Sequence, residues 1–149
     1  MLPVFQVIFI TFAVIETDQD MKTIVIPIIL TAIMSVMSCE MCRDMRSVGV
    51  NEFSRYLKRR NVVLVDVRTP QEHSEGHIPG TDFNIDVLDE SFEKEILEKI
   101  PHDSNVAIYC RSGRRSKTAG AILESNCYKV VELESGFNGW KDAGKDIQH

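Results

Sequence analysis

Residues 62–67 read VVLVDV, an apolar run broken by a single acid. A strand with one wet face alternates apolar and polar residues. A run without alternation is covered on both faces, the signature of a parallel strand between layers of helix. Residues 106–109 and 130–133 repeat the pattern. Between and around these runs the period changes. Phe92, Ile96 and Leu97 fall on one face of a helix over residues 91–100, with charges between them. Ala119, Ala121, Ile122 and Leu123 support a second helix over residues 114–125, and Val50, Phe53, Tyr56 and Leu57 support an earlier one, with Asn51 as its expected cap and Asn61 as its stop. Gly76, Pro79 and Gly80 mark a loop, and residues 136–141 read as a turn carrying the chain's one tryptophan, Trp140. Strands alternating with helices specify an α/β fold with a mostly parallel central sheet.

The chain of 149 residues has room for one such domain. Its net charge of −5 argues against a nucleic-acid binder, which needs a basic surface. The first 38 residues differ from the rest in being mostly apolar. Residues 4–15 form one run, ETDQD at 16–20 interrupts it, and a second run covers 23–38 behind Met21 and Lys22. Neither reaches the roughly 20 apolar residues that span a bilayer. The second has the layout of a secretory signal: a basic start, an apolar stretch, then small residues. Its end, Val36-Met37-Ser38-Cys39, resembles a bacterial lipoprotein signal, with Met37 where a smaller residue is usual. This reading takes Met21 as the natural start, Cys39 as a lipidation candidate and the cell envelope as the location. Export by another route, an uncleaved anchor or two buried helices are the alternatives; without export the protein would be cytoplasmic. Cys39 and Cys42 also form a C-x-x-C pair, but one behind a signal-like run rather than at a helix start after a strand. The resulting division is a signal or anchor at 1–39, a short linker at 40–46 and a domain at 47–149.

The segment most informative about chemistry is VAIYCRSGRRS, residues 106–116. A strand delivers Cys110 to its C-terminal end, a short loop containing Gly113 follows, and a helix begins. In open α/β sheets ligands bind at this edge. Loop amides can form an anion-binding nest, and a helix start adds unpaired N–H donors. Arg111, Arg114 and Arg115 add three cations within six residues of the cysteine. Each feature lowers the cost of negative charge on sulfur, which reads Cys110 as a thiolate nucleophile. Cys127, the other cysteine of the globular part, reads as buried and inert, with a lesser option of resolving chemistry at Cys110.

The loop C-R-S-G-R-R-S resembles the active loop of single-domain rhodaneses, running from Cys110 to Arg115 with Ser116 on the helix behind it. Leu64-Val65-Asp66-Val67-Arg68, then Glu72 and Gly76-His77-Ile78-Pro79-Gly80, resemble that family's first signature. Gly136-Phe137-Asn138-Gly139-Trp140 resembles its closing segment. The resemblance covers the chain from about residue 47 onward. It implies a rhodanese-like fold, a mostly parallel sheet flanked by helices on both faces. It also implies transfer of a sulfane sulfur from a donor such as thiosulfate to a thiol or cyanide acceptor through a Cys110 persulfide. No metal or organic cofactor is implied. Residues Arg111, Ser112, Gly113, Arg114, Arg115 and Ser116 would cradle the small anionic donor. Asp66 and Arg68 are expected to form an ion pair supporting the loop, and His77 to stabilise a turn. The only membrane contact expected is through the N-terminal anchor or lipid.

Two competitors are weighed against this reading. Phosphatases and arsenate reductases of the same fold resemble C-x5-R. Here the fifth residue after Cys110 is Arg115 and the sixth is Ser116, so the arginine comes one position early and the loop is too tight for a tetrahedral oxyanion. Non-catalytic rhodanese-like binding modules usually lack the cysteine, which this chain keeps.

Overall fold

A computed structural model describes residues 45–149. Five parallel strands form one sheet in the order β1-β5-β4-β2-β3, with β1 at Met45–Val48, β2 at Val62–Asp66, β3 at Phe83–Asn84, β4 at Asn105–Tyr109 and β5 at Lys129–Leu133. Four helices connect them, α1 (Val50–Tyr56), α2 (Pro70–Ser74), α3 (Phe92–Lys99) and α4 (Arg114–Ser125), and α5 (Gly136–Asp142) follows β5.

The central strands are buried on both faces because successive side chains feed two separate cores. Val106, Ile108, Val65 and Val130 face α3 and α4, meeting Phe92, Ile96, Ala119 and Leu123. Ala107, Tyr109, Leu64, Val131 and Leu133 face α1 and α5, meeting Phe53, Tyr56, Phe137 and Trp140. The period of two along each strand thus becomes a helix–sheet–helix sandwich.

The strand order creates the site. From β2 the chain moves outward to β3, and from β4 it moves the other way to β5, while β2 and β4 lie side by side. The crevice at their C-terminal ends is the topological switch point, where open α/β sheets bind ligands. Asp66 ends β2 and Cys110 follows β4, so the two signature segments meet there.

Several sequence expectations shift. Met45 and Arg46, expected in a linker, form half of β1. This edge strand buries only Val48 and so carries no apolar run. Asn51 does not cap α1; Gly49 holds that position with no side-chain bond, and the helix ends at Tyr56 rather than Asn61. Asn61 instead takes a left-handed conformation, φ 59°, which Asn tolerates, and its Nδ2 donates to the Asp103 carbonyl at 2.9 Å. Residues 136–141, expected as a turn, lie within helix α5. Two glycines and an asparagine are poor helix formers; burial of Phe137 and Trp140 holds the helix in place. Trp140 also donates to the Asp146 carbonyl at 2.8 Å.

Two glycines fix how closely α5 approaches the Cys110 loop. Gly136 has φ +59°, and a Cβ there would lie 2.6 Å from the Cys110 carbonyl oxygen and the Ser112 nitrogen. At Gly113, φ +87°, a Cβ would overlap the Glu134 carbonyl oxygen at 2.0 Å. Gly136→Ala is therefore expected to destabilise the domain by more than about 1 kcal/mol, since strain at positive φ adds to the clash. A lower urea midpoint with an unchanged slope checks this.

Candidate active site

The loop from Cys110 to Gly113 leaves β4 and enters α4 through Gly113, which caps the helix without a side chain. A positive helix end, with its first-turn amides, therefore stands behind the cysteine. Backbone bonds lock the loop to α5: Phe137 N–H donates to the Cys110 carbonyl at 2.8 Å, and Asn138 N–H to the Arg111 carbonyl at 3.0 Å. Cys110 is buried and a free thiol.

Of the other loop residues, Arg111, Ser112 and Arg114 are exposed, Arg115 is half-buried, and Gly113 and Ser116 are buried. Arg115 is claimed by Glu72: two parallel bonds of 2.7 Å join guanidinium and carboxylate. Such bidentate pairs are among the stronger polar contacts. Glu72 has a second task. It is the third residue of α2, where Thr69 caps the helix in a reciprocal capping box and Pro70 opens the first turn. The T-P-Q-E sequence thus builds a short helix whose acid clasps the active loop. The Arg115 hydrogen bond, with further help from Thr69, lowers the Glu72 pKa to about 2 against the opposing effect of burial. Arg115 is correspondingly raised, chiefly by Glu72 against desolvation, with smaller contributions from Cys110 and Asp86.

Asp66 and Arg68 form a buried ion pair. Arg68 Nη2 lies 2.6 Å from Asp66 Oδ2, both residues are buried, and Arg68 also donates to the Gly76 carbonyl at 2.8 Å. Burial opposes the Arg68 charge, but the bonds and charge of Asp66, with Tyr109, raise its pKa beyond that. The guanidinium lies 4.3 Å from the Phe137 ring centroid and 5.5 Å from that of Tyr109, a cation–π arrangement. The pair thus ties β2, the G-H-I-P-G turn and α5 together. His73 is a second partner of the Asp66 carboxylate at 2.9 Å and stacks on His77 at 4.0 Å between ring centroids. His77 exchanges backbone bonds with Gln148 and serves the turn. The Tyr109 hydroxyl accepts from Ile78 N–H at 3.2 Å, and burial pushes its pKa up.

Beside the loop lies a cavity of about 300 Å³, lined by Arg68, Glu72, Arg111, Phe137, Asn138 and Lys141 among others. Arg111 is the loop residue that it shares with the cysteine segment. Cys127 is exposed rather than buried, and is not a free thiol. It follows the far end of α4, a helix of 12 residues and hence about 18 Å long, so it stands well away from Cys110. Cys39 lies outside the described residues.

Two residues at this site went unread in the sequence, His73 and Glu132. Glu132 is fully buried on β5, and Ser47 and Ser116 both donate hydroxyls to it at 2.7 Å. Its signal was the acid inside the VVEL strand run, the same kind of interruption that marked Asp66.

The clasp between Glu72 and Arg115 carries a pH signature. A carboxylate whose folded pKa lies below its ordinary 4.5 contributes stability above that value and loses it as pH falls toward about 2. The stability gap between the wild type and Glu72→Gln is expected to be constant above pH 4.5 and to shrink between pH 4.5 and 2, as read by urea midpoints.

Comparison with known proteins agrees with this architecture. Residues 49–143 match the Rhodanese-like domain family. A protein named sulfurtransferase from Allochromatium vinosum is 38% identical over 96 residues, covering 62% of this chain and 84% of the relative. A thiosulfate:glutathione sulfurtransferase from Saccharomyces cerevisiae is 37% identical over 98 residues, covering 58% and 69%. The first three curated relatives are covered over 66% to 84% of their own lengths. The crystal structure of a rhodanese-related protein from Thermoplasma volcanium superposes with a TM-score of 0.58 at 26% identity, covering 69% of this chain and 97% of that one. A five-stranded parallel sheet, a cysteine loop at its switch point and a family match over most of the domain lead to one assignment: the chain belongs to the rhodanese-like domain family.

Proposed function

We propose that the protein is a thiosulfate sulfurtransferase that carries sulfur on Cys110. The observation that carries this reading is a free cysteine in a glycine-bounded loop at a helix N-terminus, with Arg115 alongside. The printed names of the relatives, sulfurtransferase and thiosulfate:glutathione sulfurtransferase, support the same class and suggest a small thiol as acceptor.

In the first step the Cys110 thiolate attacks the outer sulfur of thiosulfate. The S–S bond of the donor breaks, and sulfite leaves with the electron pair. In the second, an acceptor thiolate attacks the outer sulfur of the Cys110 persulfide, and the Cys110 thiolate is the leaving group. This is covalent catalysis by an activated nucleophile. Arg115 is engaged by Glu72, so its part is to hold the loop and add positive potential. Arg111, which lines the open cavity, is the cation assigned to the donor.

Turnover is tested with the full chain, thiosulfate and glutathione, following sulfite release. The expected result is a ping-pong rate pattern, with parallel double-reciprocal lines, and loss of turnover to background in Cys110→Ser. Intersecting lines, or activity surviving in Cys110→Ser, would contradict the proposal.

We also propose an envelope location with a lipid on Cys39. Palmitate labelling of cells expressing the full chain is expected to mark the protein and to disappear in Cys39→Ala. Equal labelling of both, or of neither, sinks this part.

A further inference from the structure

The buried Glu132 carboxylate is not used by the two-step reaction, yet one hydroxyl connects it to the nucleophile. Glu132 lies on β5 opposite Ser47 of β1 and Ile108 of β4. On the helical side it faces Ser116 of α4. Its two oxygens accept from Ser47 Oγ and Ser116 Oγ, each at 2.7 Å. No Lys or Arg pairs with it among the described residues, so two neutral hydroxyls are its hydrogen-bond partners. A buried carboxylate balanced only by neutral donors is a costly way to hold a charge.

Ser116 stands between this acid and the sulfur. Its Oγ lies 2.7 Å from Glu132 Oε2, 3.0 Å from the Gly113 carbonyl oxygen and 3.6 Å from Cys110 Sγ. A serine hydroxyl has one hydrogen and two lone pairs. Three acceptors therefore compete for one hydrogen, and an ionised carboxylate at the shortest distance takes it. The Ser116 oxygen then presents a lone pair to Cys110, and the thiol hydrogen donates to it.

We propose that Glu132 is a positioning residue which, through Ser116, shares one proton with Cys110. This rests on Cys110 being the nucleophile. In one arrangement Glu132 carries the negative charge and Cys110 is a thiol donating to Ser116. In the other, the Cys110 S–H bond breaks as Ser116 Oγ gains that hydrogen, while Ser116 passes its own to Glu132 Oε2. The thiolate then accepts from Ser116, and the protonated carboxyl donates to Ser116. No proton leaves the site and no redox partner is needed. A second negative charge forms only when the shared proton is lost to solvent, against like-charge repulsion. Among the described residues Arg115 interacts electrostatically with Cys110, and Glu72 and Asp86 act in turn on Arg115. Ser47, Ile108 and Ser116 bring no charge to Glu132.

The test is the pH dependence of iodoacetamide alkylation on the full chain, read on the Cys110 peptide by mass spectrometry. The wild-type rate is expected to rise in two steps, as for a coupled pair. In Glu132→Gln the position has no proton to exchange, and the Ser116 hydrogen is left to the Gly113 carbonyl and the sulfur. That variant is expected to show a single step, at least about one pH unit below the upper wild-type step. A lost structural contact would change the scale of the rate but not the number of steps. A wild-type profile with one step overturns the proposal even if the variant does not fold, and so does a Glu132→Gln profile with the wild-type shape. Alkylation uses no sulfur donor. A chain that fails to turn over thiosulfate can therefore still pass this test, and one that turns it over can still fail.

Discussion

The site depends on a close approach between two stretches of backbone. The loop after β4 is held against the start of α5 by hydrogen bonds from Phe137 and Asn138 to the carbonyls of Cys110 and Arg111. That contact exists only because Gly113 and Gly136 have no Cβ and adopt positive φ. The resulting loop spans four residues between the end of β4 and the first residue of α4. The close backbone contact thus fixes where the loop can lie.

Around this clamp, charges are arranged so that few are free. Asp66 and Arg68 neutralise each other in the crevice and fasten β2 to the turn at Gly76 and to the Phe137 ring. Glu72 and Arg115 fasten α2 to the start of α4. Removing one member of the buried Asp66–Arg68 pair leaves a charge unpaired and costs several kcal/mol, so that contact fixes geometry more than it adds net stability. Of the three loop arginines, Arg115 is held by Glu72, while Arg111 and Arg114 are exposed. Among the described residues no cation pairs with Glu132, whose hydrogen bonds come from Ser47 and Ser116, and this sets it apart from the other two acids.

Much of this was legible in the sequence for identifiable reasons. Strands β2, β4 and β5 announced themselves because burial on both faces removes alternation. Helix α4 was bounded to the residue, since Gly113 and the apolar period agree. Strand β1 and the two-residue β3 were not legible, because short edge strands bury too little to leave a pattern. Helix α5 was masked by its glycines: Gly136 is required by the contact with the Cys110 loop, and Gly139 by the closeness of the Ser135 side chain. At the site, composition placed three arginines near the sulfur, but the pairing of Arg115 with Glu72 spans 43 residues, and a long-range pair of that kind has no local signature. The acid in VVEL was visible as an interruption; its serine partners on β1 and α4 were not.

The central claim is that sulfur is carried covalently on Cys110. The most direct measurement is mass spectrometry of the full chain after brief exposure to thiosulfate, followed by addition of a thiol. The account predicts a mass gain of one sulfur atom, mapped to the Cys110 peptide, absent in Cys110→Ser and discharged by the thiol. No adduct with any sulfane donor, or an adduct mapped to another residue, would contradict it.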